Sequence, residues 1–141
     1  MNPIVRNILA LVAGLVVGSV VNMGLSLIGP FVVPPPAGAD TSTMEGLRAS
    51  MKLFTPVHFV FPFLAHALGT LAGAFTAAKL AASHGARFAT AIGACFLVGG
   101  AMMVNELGGP AWFNAADLLL AYIPMGVLGG FLAQGQRPQA A

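Results

Sequence analysis

Seven polar residues in an otherwise apolar chain carry side chains that could bind a proton, a ligand or a metal ion. They are two histidines, two carboxylates, a tyrosine and two asparagines: His58, His66, Glu106, Asp117, Tyr122, Asn22 and Asn105. Polar residues of these types inside membrane-spanning helices mark functional sites by default, because burying them in hydrocarbon is costly. In the helix arrangement derived below, all seven map to the outer half of the predicted bilayer or to its boundary. We therefore predict a polar cluster on one side of the protein.

The residue types leave the chemistry of this cluster open. Two histidines and two carboxylates could bind a metal ion, but their spacing matches no diagnostic motif, so the metal and the cofactor stay unknown. His58 and His66 lie on one helix and cannot supply both axial ligands of a single haem, so a haem would need histidines from two copies. Ser19 and Ser26 lack the sequence context of a nucleophile, so no catalytic residue is assigned and an enzyme is the least expected class.

The composition predicts an integral membrane protein. Hydrophobic residues make up 57% of the 141 residues, charged residues only 7%, and the mean hydropathy is +0.87. The net charge of +2 comes from dispersed basic residues, which does not indicate nucleic-acid binding. Cys95 is the only cysteine, so an internal disulfide is excluded. We expect a single domain over residues 1–141, with the lipid bilayer as its main partner.

Four apolar segments predict an all-α membrane fold, with spans at about 8–28, 57–80, 88–107 and 113–133. The spans would form two helical hairpins. Gly29 and Pro30 are expected to end the first helix, and Pro62 is expected to kink the second. The fourth span is expected to be one continuous helix.

The outer loop, residues 30–56, contains three consecutive prolines and then a short helical pattern. Ser42 and Glu45 have the spacing of a capping box, which predicts a helix start. Apolar residues follow at helical spacing opposite charged ones, so we predict a short amphipathic helix on the membrane surface. We expect this segment to cover the ends of the spans rather than to gate a substrate.

The basic residues predict the orientation of the chain. Four of them, Arg6, Lys79, Arg87 and Arg137, fall on one side, whereas Arg48 and Lys52 fall on the other and are balanced by Asp40 and Glu45. Because cytoplasmic segments carry an excess of Lys and Arg, both termini are expected in the cytoplasm.

Small residues recur every three or four positions along three spans and predict close helix packing. The glycines of these stripes are Gly14 and Gly18, Gly69 and Gly73, and Gly126 and Gly129. The stripes on the first and second spans exceed what a monomer obviously needs. One of them is therefore expected to face another subunit, in a homo-oligomer or a larger membrane complex.

A weak internal repeat relates the second and fourth spans. A shift of 56 positions places Ala65 on Ala121, His66 on Tyr122 and Gly73 on Gly129, which would make the hairpins a parallel repeat. His66 and Tyr122 each lie nine residues into their spans, or ~14 Å deep. We expect the two side chains to face each other, with the Tyr122 hydroxyl or the Asp117 carboxylate as the partner of His66.

Three segments carry a resemblance to a known family: the prolines at 34–36, HFVFPFLAHALGTLAGAF from His58 and AYIPMGVLGG from Ala121. The chain resembles small four-helix integral membrane proteins of bacteria, a family to which no activity is attached. The resemblance implies a bacterial inner membrane. Three functions remain in view: a non-catalytic accessory subunit, an oligomeric transporter or channel that uses the polar cluster, and a metal- or cofactor-binding module.

Overall fold

A computed structural model describes residues 1–135, and within that range the chain is helical with no strand. The helices are α1 (Pro3–Val32), α2 (Met44–Ser50), α3 (Val60–Leu80), α4 (Gly85–Leu107), α5 (Ala111–Leu120) and α6 (Ile123–Gly135), with short 3-10 segments at Met51–Leu53 and Pro56–Phe59. Four helical segments, Pro3–Val32, Pro56–Leu80, Gly85–Leu107 and Ala111–Gly135, are long and apolar enough to cross a membrane. Arg137, one of the basic residues expected on the cytoplasmic side, lies outside the described residues.

Helix α3 is the centre of the fold, because it packs against α1, α4 and α6. The core between α3, α4 and α6 is built from small side chains around one larger residue, Ile92, which is fully buried. Its other members are alanines: Ala74, Ala77, Ala78, Ala89 and Ala133. Side chains this small let the helix backbones approach closely, and dispersion contacts between them replace the hydrophobic effect that is weak between helices in lipid.

The glycine stripes of α1 and α3 pack against each other within one chain. A Cβ atom added to Gly14 would lie 2.7 Å from the carbonyl oxygen of Gly73, and one added to Gly18 would lie 2.8 Å from that of Gly69. The expectation that one of these two stripes faces another subunit is therefore wrong. On α6, a Cβ at Gly129 would lie 2.8 Å from the carbonyl oxygen of Leu71, so this glycine packs against α3 in the same way.

Helix α1 continues past Gly29 and Pro30 to Val32, so the expected helix end at these residues is wrong. A proline in the last turn removes only one intrahelical hydrogen bond, the one to Ser26, and the turn survives that loss. Two contacts hold this turn in place. The Val33 N–H donates to the Gly29 carbonyl at 2.8 Å, and Gly29 is buried against the side chain of Phe61.

The second span changes helix type ahead of Pro62 instead of bending at it. The chain forms a 3-10 segment over Pro56–Phe59 and becomes α-helical at Val60, which makes Pro62 the third residue of α3. A proline is tolerated in the first turn of a helix, where backbone N–H groups have no intrahelical acceptor. The expected kink is thus replaced by a helix start.

The fourth span is two helices rather than the single one expected. Helix α5 ends at Leu120, a turn follows at Ala121 and Tyr122, and α6 begins at Ile123. Pro124 explains the break, because it has no N–H to donate to the Leu120 carbonyl and its ring would collide with that group. Because of this interruption, Tyr122 lies in a turn and not in a regular helix at the point where it contacts α3 and α4.

The outer loop folds back on itself between Asp40 and Ser50. Thr43, not the expected Ser42, caps α2, and its hydroxyl accepts from the Gly46 N–H at 2.9 Å. Ser42 instead donates its N–H and its hydroxyl to the Asp40 carboxylate, at 2.9 and 2.6 Å, and these bonds hold the pKa of Asp40 below its usual value. The Asp40 N–H donates to the buried Ser50 hydroxyl at 2.8 Å, and this bond joins the two ends of the 40–50 segment.

Candidate ligand-binding site

His66, Asp117 and Tyr122 form one hydrogen-bonded cluster, which we call the polar triad. The Nδ1 atom of His66 lies 2.8 Å from Oδ1 and 2.9 Å from Oδ2 of Asp117. The Tyr122 hydroxyl donates to Oδ2 of the same carboxylate at 2.9 Å. The rings of His66 and Tyr122 are stacked, with centroids 5.7 Å apart and an interplanar angle of 29°. The two side chains therefore face each other, and a carboxylate joins them.

Three elements of the fold position the triad. His66 lies in the second turn of α3, Asp117 lies in α5, and Tyr122 lies in the turn between α5 and α6. A fourth element, α4, supplies Gly100, which lies directly against the Tyr122 hydroxyl, so any larger residue there would occupy the space of that hydroxyl. The proline-induced break after α5 thus has a structural result: it directs Tyr122 back towards the carboxylate five residues earlier.

Asp117 and Tyr122 are the buried members of the triad, and His66 is partly exposed. The Asp117 side chain is 3% exposed and that of His66 is 23% exposed, while Tyr122 is 2% exposed as a residue. A buried carboxylate is tolerated when hydrogen-bond donors surround it, and Asp117 receives one from His66 and one from Tyr122. An ionised carboxylate can only accept a hydrogen bond, so Nδ1 of His66 is the donor in this pair. In a neutral His66 ring the hydrogen therefore sits on Nδ1 and the lone pair on Nε2.

The Nε2 atom of His66 is the open position of the triad. Within residues 1–135 it has no hydrogen-bond partner, yet it is not among the buried unpartnered polar atoms, of which Thr70 Oγ1 is the one found there. It is therefore accessible. A carboxylate that fixes Nδ1 and leaves Nε2 free is the arrangement that prepares a histidine to accept a proton or to bind a ligand.

Two cavities meet at His66. The first has a volume of about 170 Å³ and extends between α3, α4 and α5; the second has a volume of about 230 Å³ and extends towards the end of α1. Both cavities have in their walls Leu47, Phe54, His58, Pro62 and His66. The outer loop thus supplies part of the wall of both cavities.

The remaining residues of the predicted cluster are not part of the triad. His58 borders both cavities, but its Nδ1 atom forms a cap with Thr55, whose N–H lies 3.1 Å away. Asn22 Oδ1 accepts from the Ser26 hydroxyl of its own helix at 3.3 Å. Asn105 and Glu106 are exposed at the end of α4 and do not line either cavity.

A metal ion is one candidate ligand for this site, and it would need several protein ligands close together. Among residues 1–135, no group of three or more His, Cys, Asp or Glu side chains lies close enough together to hold a metal ion. His66 and Asp117 contact each other, and the carboxylate is already occupied by two donors. The open Nε2 could supply one ligand, but the described residues do not form a group of three around it.

Sequence reasoning missed several residues that shape the site. Gly100 carried no signal beyond its pairing with Gly99, since its role depends on the position of Tyr122 across the helix interface. Asn114, by contrast, was expected beside the polar cluster; it borders the first cavity and donates to the Gly108 carbonyl at 3.0 Å, which holds the link between α4 and α5. The helical spacing of Leu47, Met51 and Phe54 was visible, but not that these side chains would cover His66.

Replacing Gly100 with alanine is expected to disrupt the triad without removing any polar group. The new methyl group would collide with the Tyr122 hydroxyl and displace it from Asp117. We expect the free energy of unfolding to fall by about 1–3 kcal/mol, the usual cost of overpacking. Tyr122 is the only tyrosine of the chain, so ¹³C-tyrosine NMR reports its environment as a single signal, which should shift.

The control is Gly99→Ala, one residue earlier on α4, where an added Cβ meets no atom within 4 Å. This variant should keep the wild-type stability and the wild-type tyrosine signal. Identical behaviour of the two variants would contradict the placement of Tyr122 against Gly100.

The comparison of the whole chain with protein-family models, with curated proteins and with solved structures finds no match.

Proposed function

We propose that the protein is a polytopic membrane protein that binds a proton and a small ligand at the Nε2 atom of His66, as a small transporter or channel does. The observation that carries this proposal is the open Nε2 atom beside two cavities, with Nδ1 fixed by a buried carboxylate. Ionisable groups that line an intramembrane cavity are typical of ion and substrate pathways.

An accessory subunit without a binding site is the alternative that this observation weakens. In a purely structural cluster, every polar atom is expected to be satisfied within the bundle. Asp117 and Tyr122 fit that description, whereas His66 lines both cavities and its Nε2 atom has no partner within residues 1–135. A metal- or cofactor-binding module has less support, because residues 1–135 offer no set of three metal ligands.

We propose a bacterial inner membrane as the location, with both termini in the cytoplasm and the 30–56 loop outside. In support, the Arg6 side chain donates to the Leu80 carbonyl at 2.8 Å, so Arg6 lies at the same end of the bundle as Lys79. An excess of basic residues at one end is typical of the cytoplasmic side. In this arrangement the 44–54 segment would lie at the outer surface as an interfacial helix.

We further propose that the spans form two hairpins related as a parallel repeat. The support is the equivalence of His66 and Tyr122, which reach the same carboxylate from α3 and from the α5–α6 turn. Binding sites of transporters commonly lie at the interface between such repeats, near a broken helix. A homo-oligomer or a larger membrane complex would complete a pathway across the bilayer.

The proton-binding function is tested by NMR of the protein labelled with ¹⁵N-histidine in lipid bilayers. We expect the His66 ring to show the Nδ1–H tautomer, and we expect acidification to add a proton at Nε2, because Nδ1 already carries the hydrogen bound to Asp117. His66→Phe assigns the signal, since the chain has only three histidines. A His66 ring whose signals stay unchanged over the whole pH range in which the fold is intact would refute a proton-binding function.

A further inference from the structure

The first cavity has the size of one six-membered ring. Its volume is about 170 Å³. An engineered apolar cavity of roughly 150 Å³ lined by aliphatic and aromatic side chains binds benzene, which sets the scale for comparison. The first cavity therefore has room for at least one aromatic ring. A monocyclic molecule with one or two small substituents suits this space.

The walls of the first cavity favour an aromatic ring. Phe54, Phe59 and Phe113 line it, and the rings of Phe59 and Phe113 lie in contact with centroids 4.6 Å apart. Met51 and Met103 add two polarisable sulfur atoms to the same wall. Aromatic rings pack favourably edge-to-face or offset against other rings, and methionine sulfur makes favourable contacts with ring edges.

The polar groups of the cavity select a neutral hydrogen-bond donor. The Nε2 atom of a neutral His66 is an acceptor, so it requires an O–H or N–H group from the ligand. No Lys or Arg side chain lines this cavity, so an anionic carboxylate would find no positive partner there while His66 is neutral. The Asp117 carboxylate is occupied by His66 and Tyr122, so it does not offer a free anion to a cation.

We propose that the first cavity binds a monocyclic phenol, with the aromatic ring among Phe54, Phe59 and Phe113 and the hydroxyl group donating to Nε2 of His66. The inference rests on the proposed function in one respect, namely that Nε2 is the ligand-binding atom. A phenol is a neutral weak acid, so its hydroxyl can share its proton with the imidazole while its ring fills the apolar space. The binding is reversible and breaks no covalent bond.

The test compares 4-fluorophenol with 4-fluorotoluene by ¹⁹F NMR on the protein in lipid nanodiscs. The two probes have nearly the same shape, but the methyl group of the second cannot donate a hydrogen bond. We expect the wild-type protein to bind the phenol roughly five- to tenfold more tightly than the toluene, which corresponds to one hydrogen bond. Empty nanodiscs correct for partition of both probes into lipid.

Three variants locate the binding. His66→Phe should abolish the preference for the phenol, because the acceptor is lost. Val104→Phe places a larger side chain in the first cavity, keeps all three residues of the triad, and should abolish binding of both probes. Val33→Phe narrows only the second cavity and should leave binding unchanged, since Val33 borders the second cavity and not the first.

The outcomes separate this inference from the proposed function. Equal binding of the two probes to the wild-type protein, or unchanged phenol binding in Val104→Phe, would overturn the inference. If His66 accepts a proton in the ¹⁵N experiment and the phenol does not bind, the inference is wrong and the proton-binding function stands. If phenol binding depends on Val104 and His66 while Nε2 never takes up a proton, the inference stands and the proton-binding function is wrong.

Discussion

Replacing Asp117 with alanine is expected to lower the free energy of unfolding by about 2–5 kcal/mol. The reason is that one carboxylate accepts from both His66 and Tyr122, and its removal leaves the buried Tyr122 hydroxyl and the partly buried His66 ring without their acceptor. An ordinary interhelical hydrogen bond in a membrane protein is worth only about 0.6 kcal/mol on average. The larger value follows because two unsatisfied groups and a cavity are created together. Reversible unfolding in bicelles, followed by steric trapping or by titration with SDS, measures the loss.

Two control variants separate the loss of the charge from the loss of the hydrogen bonds. Asp117→Asn keeps one acceptor oxygen and nearly the same volume, so its effect should lie between those of the wild type and the alanine variant. Glu106→Ala removes a carboxylate that is exposed at the end of α4, and it should change the stability by less than about 0.5 kcal/mol. If Asp117→Ala were no more destabilising than Glu106→Ala, the triad would not be a stabilising feature of the fold.

The four spanning segments could be read directly from the sequence, because hydropathy and length decide them without any knowledge of tertiary contacts. The encounter of His66 with Tyr122 was also predictable. It followed from two local facts, the equal depth of the residues in their spans and the shift of 56 positions that relates those spans. Both facts concern position along a helix, and a helix converts sequence spacing into depth in a fixed way.

The effects of the prolines could not be predicted, since they depend on what surrounds each ring. Pro30 lies in the last turn of α1, where one lost hydrogen bond is tolerated; Pro62 falls in the first turn of α3; and Pro124 interrupts the fourth span. The sequence shows the same residue type in all three apolar segments. The position of each proline relative to a helix end, which is set by tertiary packing, decides whether the proline breaks the helix or is tolerated in it.

The covering of the site by the outer loop was equally beyond local patterns. The spacing of Leu47, Met51 and Phe54 indicated an apolar face on a short helix that was expected to cover the ends of the spans, but it did not show which residues this face would meet. In the structure these side chains line the cavities beside His66. The result depends on where α3 and α4 end relative to the loop, which no single segment specifies.

Replacing Gly73 with leucine is expected to separate α1 from α3 and to have the largest effect on folding among the glycine substitutions. A Cβ atom at this position would lie 2.6 Å from the carbonyl oxygen of Gly14. That obstacle is backbone, which cannot rotate away as a flexible side chain can, so the two helices must move apart along their whole contact. We expect a loss of at least about 3 kcal/mol in the free energy of unfolding, or failure to fold, because overpacking of this kind is at the upper end of the usual range. Gly14→Leu should behave in the same way.

Gly24→Leu on α1 is the matched control, because a Cβ at Gly24 meets no atom within 4 Å. Both changes replace a helical glycine by leucine and raise the intrinsic helix propensity equally, so only the contact between helices differs. The control should fold with at least wild-type stability, whereas Gly73→Leu should lose the packing of α1, detected as new protease cleavage and as unfolding at lower SDS concentration. If Gly73→Leu kept the wild-type stability and changed only the oligomeric state, the stripe would face another subunit. The packing of α1 on α3 within one chain would then be wrong.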